Sequence, residues 1–219
     1  MIALLIVGSF LVAAALIFGC LIARTRPTKG NTIANYPDPQ KAVVIIDLQE
    51  DYTGTGARPP FPYKDSARVI QTLNALANEA RLRRILVIYV RHEFGGLMGR
   101  VFSKTFSHGT ALPDTPGAAL DRRLAVGSHP VFTKPTADAF SSFGLEAFLI
   151  EHRVNELFLA GLDAEYCVRS TAKGGLARGY QVNIISDGIL LLAEKHRDAL
   201  WRQFQRDGTR LVSSTSCFA

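Results

Sequence analysis

Residues 41–47 read KAVVIID and residues 84–91 read RILVIYVR, two apolar runs that are rich in β-branched side chains. Neither run alternates apolar with polar residues, which indicates strands covered on both faces, as in a parallel sheet. Similar patterns predict strands at 130–133, 155–162, 180–185 and 209–213, and helical periodicity lies between the strands at 64–83, 141–152, 164–178 and 194–206. This alternation predicts a doubly wound α/β domain, a Rossmann-like three-layer fold with a mainly parallel six-stranded sheet and helices on both faces.

The segment at 92–129 is too long to be an ordinary connection in such a domain, and loops of this length usually act as lids or binding loops. A helical turn is expected within it at 117–124. Phe94, Phe102 and Phe106 are candidates to line a pocket, and packing of the same rings against the sheet edge is an equally good interpretation.

The first 23 residues differ from the rest of the chain, because 20 of them are apolar and none carries a charged side chain. As a helix, residues 2–23 would reach about 33 Å, enough to cross a bilayer core of about 30 Å. No Lys or Arg precedes the run, which disfavours a cleaved signal peptide. Arg24, Arg26 and Lys29 follow it, so the positive-inside tendency predicts a single-pass membrane protein with a cytoplasmic domain.

Residues 24–40 contain three prolines and few large apolar side chains, a composition typical of a linker. The predicted organisation is therefore a transmembrane helix at 1–23, a linker at 24–40 and a globular domain at 41–219. Beyond the basic flank, 22 Lys and Arg nearly balance 19 Asp and Glu, which gives no indication of a nucleic-acid partner. Three cysteines exclude a disulfide scaffold and fit a reducing compartment.

Three polar residues stand at predicted carboxyl ends of strands, where ligands bind in doubly wound sheets. Asp47 follows AVVII, Lys134 follows VFT, and Cys167 lies six residues past Gly161 at a predicted strand-to-helix turn. A helix start and a nearby ammonium both favour a thiolate, and a carboxylate can take up and return its proton. Each residue alone has an ordinary structural interpretation, but their conjunction at one sheet edge indicates a functional site.

The segments that carry these residues resemble motifs of the isochorismatase-like cysteine hydrolases, which include nicotinamidases and related amidohydrolases. The three segments are VVIIDLQEDY at 43–52, FTKPTADAF at 132–140 and GLDAEYCVRSTAKGGLARGY at 161–180. They occur in the order found in that family, and the resemblance extends over about residues 41–213. It implies a catalytic triad of Asp47, Lys134 and Cys167.

The resemblance implies further features of the site and of the assembly. A cis peptide bond is expected between Leu162 and Asp163, with an oxyanion hole formed by the backbone N–H groups of Asp163 and Cys167. Members of the family usually self-associate, which suggests a homo-oligomer. Nicotinamidases hold a metal with suitably spaced Asp and His residues, whereas His92, Glu93 and His108 lack that spacing here and are expected to be exposed loop residues. No metal or other cofactor is therefore expected.

The expected activity is cysteine-dependent hydrolysis of a C–N bond in a small amide, ureide or carbamate. Asp47 would act as general base, Cys167 as nucleophile, and Lys134 as the cation that stabilises the thiolate. Two alternatives remain open. One is an isochorismatase-type hydrolase of a vinyl ether, which does not need the cysteine, and the other is a non-catalytic, membrane-anchored interaction module.

Overall fold

Six parallel strands form a sheet in the computed structural model, which describes Gly19 and residues 24–218. The strands are β1 (Gln40–Ile46), β2 (Leu86–His92), β3 (Val131–Lys134), β4 (Val154–Gly161), β5 (Gln181–Ile189) and β6 (Arg210–Val212). Their order across the sheet is β3-β2-β1-β4-β5-β6, and every neighbouring pair is parallel. The prediction of a six-stranded parallel sheet is confirmed.

Helices cover both faces of this sheet. They are α1 (Glu50–Thr53), α2 (Ser66–Leu82), α3 (Gly96–Phe106), α4 (Leu145–Glu151), α5 (Arg169–Ala177) and α6 (Arg197–Asp207). Short 3₁₀ turns lie at Pro116–Ala118, Ala139–Ser141 and Glu194–His196, and a π-helical turn at Ala164–Val168 leads into α5. In α2 the buried apolar residues recur at the spacing of one helix face, which explains why this segment forms a helix against the sheet.

The unalternated pattern of β1 follows from its position at the centre of the sheet. Ala42, Val44 and Ile46 pack into the layer that contains α4, α5 and α6. Val43 and Ile45 point to the opposite face and pack with α2. Because alternate side chains of a strand face opposite layers, both sets must be apolar in a three-layer fold.

The segment between β2 and β3 differs from the predicted loop because it contains α3, a helix of 11 residues. The expected turn at 117–124 is reduced to a short 3₁₀ turn at Pro116–Ala118. Helix α3 was not predicted, although its apolar residues at 97, 98, 101 and 102 recur at helical spacing. Gly95 and Gly96 at its start resemble loop sequence.

The predicted membrane segment at 1–23 lies outside the described residues, apart from Gly19. None of the helices that the structure describes is both long enough and apolar enough to cross a membrane. The predicted linker, in contrast, is docked on the domain over its first part. Arg178 donates hydrogen bonds to the carbonyl oxygens of Thr28 and Lys29, and its own carbonyl accepts one from the N–H of Ile33.

Candidate active site

The carboxyl ends of β1 and β4 meet at the point where the chain reverses its direction of travel across the sheet. From β1 the chain builds β2 and β3 on one side and then returns to place β4 on the other side of β1. Such switch points are the usual ligand-binding crevices of doubly wound sheets. Asp47 follows β1 directly, and Cys167 lies in the π-helical turn after β4.

The structure brings Asp47, Lys134 and Cys167 together at this edge. The ammonium nitrogen of Lys134 lies 2.9 Å from Oδ2 of Asp47 and 3.2 Å from Sγ of Cys167. It also donates a hydrogen bond of 3.1 Å to the carbonyl oxygen of Thr136. Asp47 and Lys134 are buried, whereas Cys167 is partly exposed. The thiol of Cys167 therefore lines the cavity, next to two charged side chains that are kept out of water.

Asp47 adopts an unusual backbone conformation, with a φ of 58° in the left-handed region. For residues other than glycine this conformation costs about 1–3 kcal/mol and is concentrated at functional sites. The N–H of Asp47 is held by the carbonyl oxygen of Val90 at 2.8 Å, which fixes the turn at the end of β1. Oδ1 of Asp47 is buried and receives no hydrogen bond from the residues that the structure describes.

The end of β4 approaches the end of β1 very closely. Gly161 has a φ of 108°, and a Cβ atom at this position would overlap the backbone carbonyl of Ile46. The N–H of Leu162 donates to that same carbonyl oxygen at 2.9 Å. A glycine is therefore required where the strand passes into the turn that carries Cys167.

The peptide bond between Leu162 and Asp163 is cis. The Asp163 side chain accepts hydrogen bonds from the backbone N–H groups of Glu165 (2.7 Å) and Leu192 (3.1 Å). It also accepts one from the hydroxyl group of Tyr63 at 3.0 Å. The carboxylate thus holds the turn before Cys167 against two other segments of the chain.

His92 is the residue of the site that sequence reasoning missed. It was expected to be an exposed loop residue, but it is the last residue of β2 and only 6% exposed. It is the register partner of Lys134 on β3, and its Nδ1 lies 3.3 Å from the Lys134 ammonium nitrogen. The sequence-predicted strand ended one residue too early, at Arg91; a strand extended by one residue would have placed His92 at the same edge as Asp47.

Gln49 holds β2 at this edge. Its side-chain amide nitrogen donates 2.9 Å to the carbonyl oxygen of His92, and its Oε1 accepts from the N–H of His92 at 2.7 Å. Gln49 is completely buried. Because Gln49 lies two residues after Asp47, the pair of hydrogen bonds couples the position of the Asp47 turn to the end of β2.

Glu93 and His108, the other two residues considered as metal ligands, do not join the site. Glu93 forms an ion pair of 3.0 Å with Arg91, and His108 is exposed at the rim of the cavity. Among the described residues, no three His, Cys, Asp or Glu side chains are placed to hold a metal ion together. His92 is also unsuited to this role, since its Nδ1 faces the ammonium group of Lys134.

The ionisation of the three central groups follows from their burial. Burial raises the pKa of the Cys167 thiol to about 12, and the opposing effect of Lys134 does not cancel this shift. Burial likewise raises the pKa of Asp47 against the opposing effect of Lys134. Burial alone lowers the pKa of Lys134, but the nearby Asp47 and Cys167 raise it overall. The predicted preference for a thiolate is thus outweighed by the loss of water around the sulfur.

His92 is neutral at this site. Burial lowers its pKa well below the ordinary value, and the positive charges of Lys134 and Arg24 lower it further. Because an ammonium group can only donate, Nδ1 of His92 is the acceptor and the proton resides on Nε2. Nε2 is buried and has no hydrogen-bond partner of good geometry among the described residues.

A cavity of about 430 Å³ opens above Asp47 and Cys167. Phe94, Phe102 and Phe106 line it, so the pocket interpretation of these three rings is correct. Other aromatic residues at its wall are Tyr52, Phe61, Tyr63 and Tyr166. The cavity therefore combines a polar floor with largely aromatic walls, as is common in small-molecule sites.

Residues 24 and 25 complete one side of this cavity. The guanidinium group of Arg24 lies 5.3 Å from the ring centre of Phe94 and 5.2 Å from that of Phe102. Its NH2 group donates to the carbonyl oxygen of Pro135, and its carbonyl accepts from the N–H of Ala137 at 2.9 Å. The segment predicted as a linker thus contributes to the wall of the site.

The fold and the site define the class: a three-layer parallel α/β protein with a carboxylate, an ammonium and a thiol at its switch point. An isochorismatase domain model matches residues 41–216, and the chain therefore belongs to the isochorismatase family. The resemblance seen in three sequence motifs is thereby confirmed, together with the expectation of a hydrolase of this family.

Individual relatives extend this comparison. The chain is 28% identical over 179 residues to a nicotinamidase of Escherichia coli (strain K12), which covers 68% of this chain and 83% of that protein. It is 29% identical over 149 residues to an N-carbamoylsarcosine amidase of Arthrobacter, which covers 64% of this chain and 55% of that protein. An isochorismatase family protein of Desulfovibrio vulgaris has the same fold, with a TM-score of 0.71, 22% identity and coverage of 82% and 96%.

Proposed function

We propose that this chain is a cysteine-dependent hydrolase that cleaves the C–N bond of a small amide, ureide or carbamate through a thioester. The observation that carries the proposal is the contact of one buried ammonium group, Lys134, with both Asp47 (2.9 Å) and Cys167 (3.2 Å). The names of two relatives, a nicotinamidase and a carbamoylsarcosine amidase, support action on non-peptide C–N bonds.

The acylation step begins with a protonated thiol, because burial raises the pKa of Cys167 to about 12. As Sγ attacks the substrate carbonyl carbon, the thiol proton passes to Asp47, whose proton affinity burial has increased. Oδ1 of Asp47 receives no hydrogen bond from the described residues and provides the acceptor for this proton. Lys134 remains an ammonium and stabilises the negative charge that develops on sulfur.

Collapse of the tetrahedral intermediate breaks the C–N bond. Asp47 returns its proton to the leaving nitrogen, which departs as ammonia or an amine, and the acyl group stays on Sγ of Cys167. Water then attacks the thioester while Asp47 accepts a proton, and the returning thiolate regains that proton as the acid leaves. The backbone N–H groups of Asp163 and Cys167 are the proposed donors to the oxyanion in both steps.

The arrangement supports acyl transfer over the hydrolysis of a vinyl ether. Acid-catalysed cleavage of a vinyl ether needs a proton donor but no nucleophile. Here the sulfur of Cys167 accepts a hydrogen bond from Lys134 and faces the cavity, which is the placement that a nucleophile requires. The site likewise favours an enzyme over a module that only retains the fold.

We also propose that residues 2–23 anchor the protein in a membrane, with the hydrolase domain in the cytoplasm. The uncharged run of 22 residues and the Arg24, Arg26 and Lys29 that follow it support this topology. Protease added to intact cells tests this topology, because a cytoplasmic domain is protected from digestion. Digestion of the domain while the cells remain intact would contradict the proposal.

The experiment that tests the hydrolase is a screen of the full chain, in detergent, against small amides, ureides and carbamates with ammonia release as the readout. Two variants accompany the wild type. Cys167→Ala is expected to be inactive, and Cys217→Ala, which removes a buried thiol outside the cavity, is expected to retain activity. Equal turnover by Cys167→Ala and wild type would contradict the cysteine mechanism.

A further inference from the structure

Helix α3 presents its large apolar side chains outward. Leu97, Met98 and Val101 are 78%, 66% and 51% exposed, respectively. The residues that α3 buries against the domain are Gly99 and Ser103. This distribution is the reverse of the usual amphipathic helix, in which the apolar face packs on the core.

The inward side of α3 is stable in this orientation. The hydroxyl group of Ser103 donates a hydrogen bond of 2.6 Å to the carbonyl oxygen of Thr110, so the buried polar group has a partner. Gly99 lies so close to the backbone of Phe94 that a Cβ atom would clash with it. The outward apolar side chains are therefore a fixed feature of this helix and form a surface of the kind that marks an interaction site.

The charged side chains on α3 itself are all positive. Arg100 and Lys104 are exposed on the same helix, and residues 96–106 contain no Asp or Glu. Apolar side chains interleaved with Lys and Arg are typical of helices that lie in the interface of a bilayer with anionic lipids.

The position of α3 in the chain path points to the same partner. The uncharged run of residues 2–23 ends at Arg24. The guanidinium group of Arg24 lies over the ring of Phe102, a residue of α3, at 5.2 Å from the ring centre. Arg24, the residue that follows the apolar run in the sequence, is thus in contact with α3.

We propose that the exposed face of α3, formed by Leu97, Met98, Val101, Arg100 and Lys104, lies in the headgroup region of the bilayer that holds residues 2–23. The apolar side chains enter the acyl boundary, and the two cations contact lipid phosphates. This inference rests on the proposed membrane anchoring and is independent of the hydrolase mechanism.

The test places a single fluorescent label on the full chain in vesicles of phosphatidylcholine and phosphatidylglycerol. The background variant has Cys20, Cys167 and Cys217 replaced by Ser, and an environment-sensitive dye is attached through Leu97→Cys. The matched control is Leu82→Cys, because Leu82 is also exposed (64%) but lies at the end of α2, directly before β2 begins and hence at the opposite edge of the sheet. A third label at Ala13→Cys reports on the anchor itself.

The dye at position 97 is expected to be quenched by nitroxide-labelled lipid and shielded from iodide, and the dye at 82 to behave in the opposite way. Quenching of the 97 dye by iodide as readily as the 82 dye would overturn the inference. Protection of the 97 dye from both quenchers would also overturn it, because the surface would then be covered by protein. If the dye at 13 is not quenched by lipid, the anchoring proposal itself fails.

Hydrogen exchange gives a second measurement that needs no substitution in α3. Contact with anionic lipid is expected to slow the exchange of the backbone amides of residues 96–106. These amides should exchange more slowly in vesicles of phosphatidylcholine and phosphatidylglycerol than in vesicles of phosphatidylcholine alone. Equal exchange in both vesicles would contradict the proposed contact of Arg100 and Lys104 with anionic lipid.

Discussion

The imidazole of His92 and the ammonium of Lys134 are register partners on adjacent strands, with 3.3 Å between Nδ1 and Nζ. Lys134 reaches across the end of β2 to Asp47, since β2 lies between β3 and β1. The neutral imidazole of His92 accepts a hydrogen bond from the ammonium group and so orients it, without adding another charge to the site. The register of two strands therefore contributes to the orientation of the Lys134 side chain.

Removal of this acceptor is expected to weaken catalysis while leaving the fold intact. We expect His92→Phe to lower kcat/KM by about tenfold to a hundredfold, corresponding to about 1.5–3 kcal/mol for one hydrogen bond to a charged group. His92→Gln, which retains an acceptor, should recover most of the loss, and His152→Phe serves as a control outside the cavity. A wild-type kcat and pH profile for His92→Phe would show that His92 does not position Lys134.

The acyl group is expected to accumulate on Cys167. Peptide mass spectrometry after rapid quenching should locate the added acyl mass on this residue, since its sulfur faces the cavity. Cys217 lies outside the cavity and is expected to remain unmodified. An adduct on any other residue would contradict the thioester mechanism. The absence of any adduct with a substrate that deacylates slowly would contradict it as well.

The pH dependence of activity should follow Asp47 at low pH. Because burial raises the pKa of this carboxyl, kcat/KM is expected to rise with pH through a value above that of an ordinary aspartate. Activity requires the deprotonated base, so the change is an increase as pH rises. An ordinary aspartate has a pKa of about 4. A kcat/KM that does not change between about pH 4 and pH 8 would therefore contradict the role of Asp47.

Alkylation of Cys167 by iodoacetamide reports on the thiol alone. Its rate should keep increasing with pH beyond neutrality, because the pKa of the thiol is raised to about 12. Lys134→Met should slow alkylation at pH 8 by about tenfold or more, since one pKa unit corresponds to a factor of ten in thiolate. Lys173→Met, which removes an ion pair with Asp207, is the control and should leave the rate unchanged.

Catalysis is expected to be independent of bound metal. The Nδ1 atom of His92 faces an ammonium group, and the described residues provide no cluster of three ligands. Activity should therefore persist after prolonged treatment with a chelator. Loss of turnover that one added divalent metal restores would show that the site acts differently.

The docked segment before the domain is expected to contribute to stability. Thr28 donates to Asp138 from both its N–H (2.6 Å) and its hydroxyl group (2.7 Å), and Asp138 is buried. Thr28→Val removes the second bond, together with a bond of 3.1 Å that the hydroxyl oxygen accepts from Arg178, and should lower the free energy of unfolding by about 1–2 kcal/mol. Thr55→Val, at an exposed position, is the control, and equal thermal midpoints for the two variants would contradict the expectation.

The sheet and the three central residues could be predicted because their signals are local. Apolar runs without alternation identify buried parallel strands, and Asp47 and Lys134 follow such runs directly. Cys167 lies beyond a turn, but the motif around it is continuous in sequence. The order of the strands was not predicted, because right-handed crossovers between alternating strands and helices are compatible with several orders.

The remaining features depend on tertiary contacts that no local pattern reports. His92 was missed because the predicted strand was one residue too short. The docking of residues 24–33 depends on Arg178, which lies far away in sequence and binds main-chain carbonyl groups that any residue provides. The high pKa of Cys167 results from burial, which cannot be judged from a helix start and a nearby lysine alone.

The attachment of Arg24 has a mechanical consequence. Its side chain rests on Phe94 and Phe102, its main chain is bonded to Ala137, and the following residues are clamped by Arg178. No flexible stretch of chain therefore separates Arg24, where the docked segment begins, from the wall of the cavity. A force on the chain ahead of Arg24 is transmitted directly to Phe94 and Phe102, the rings that line the cavity.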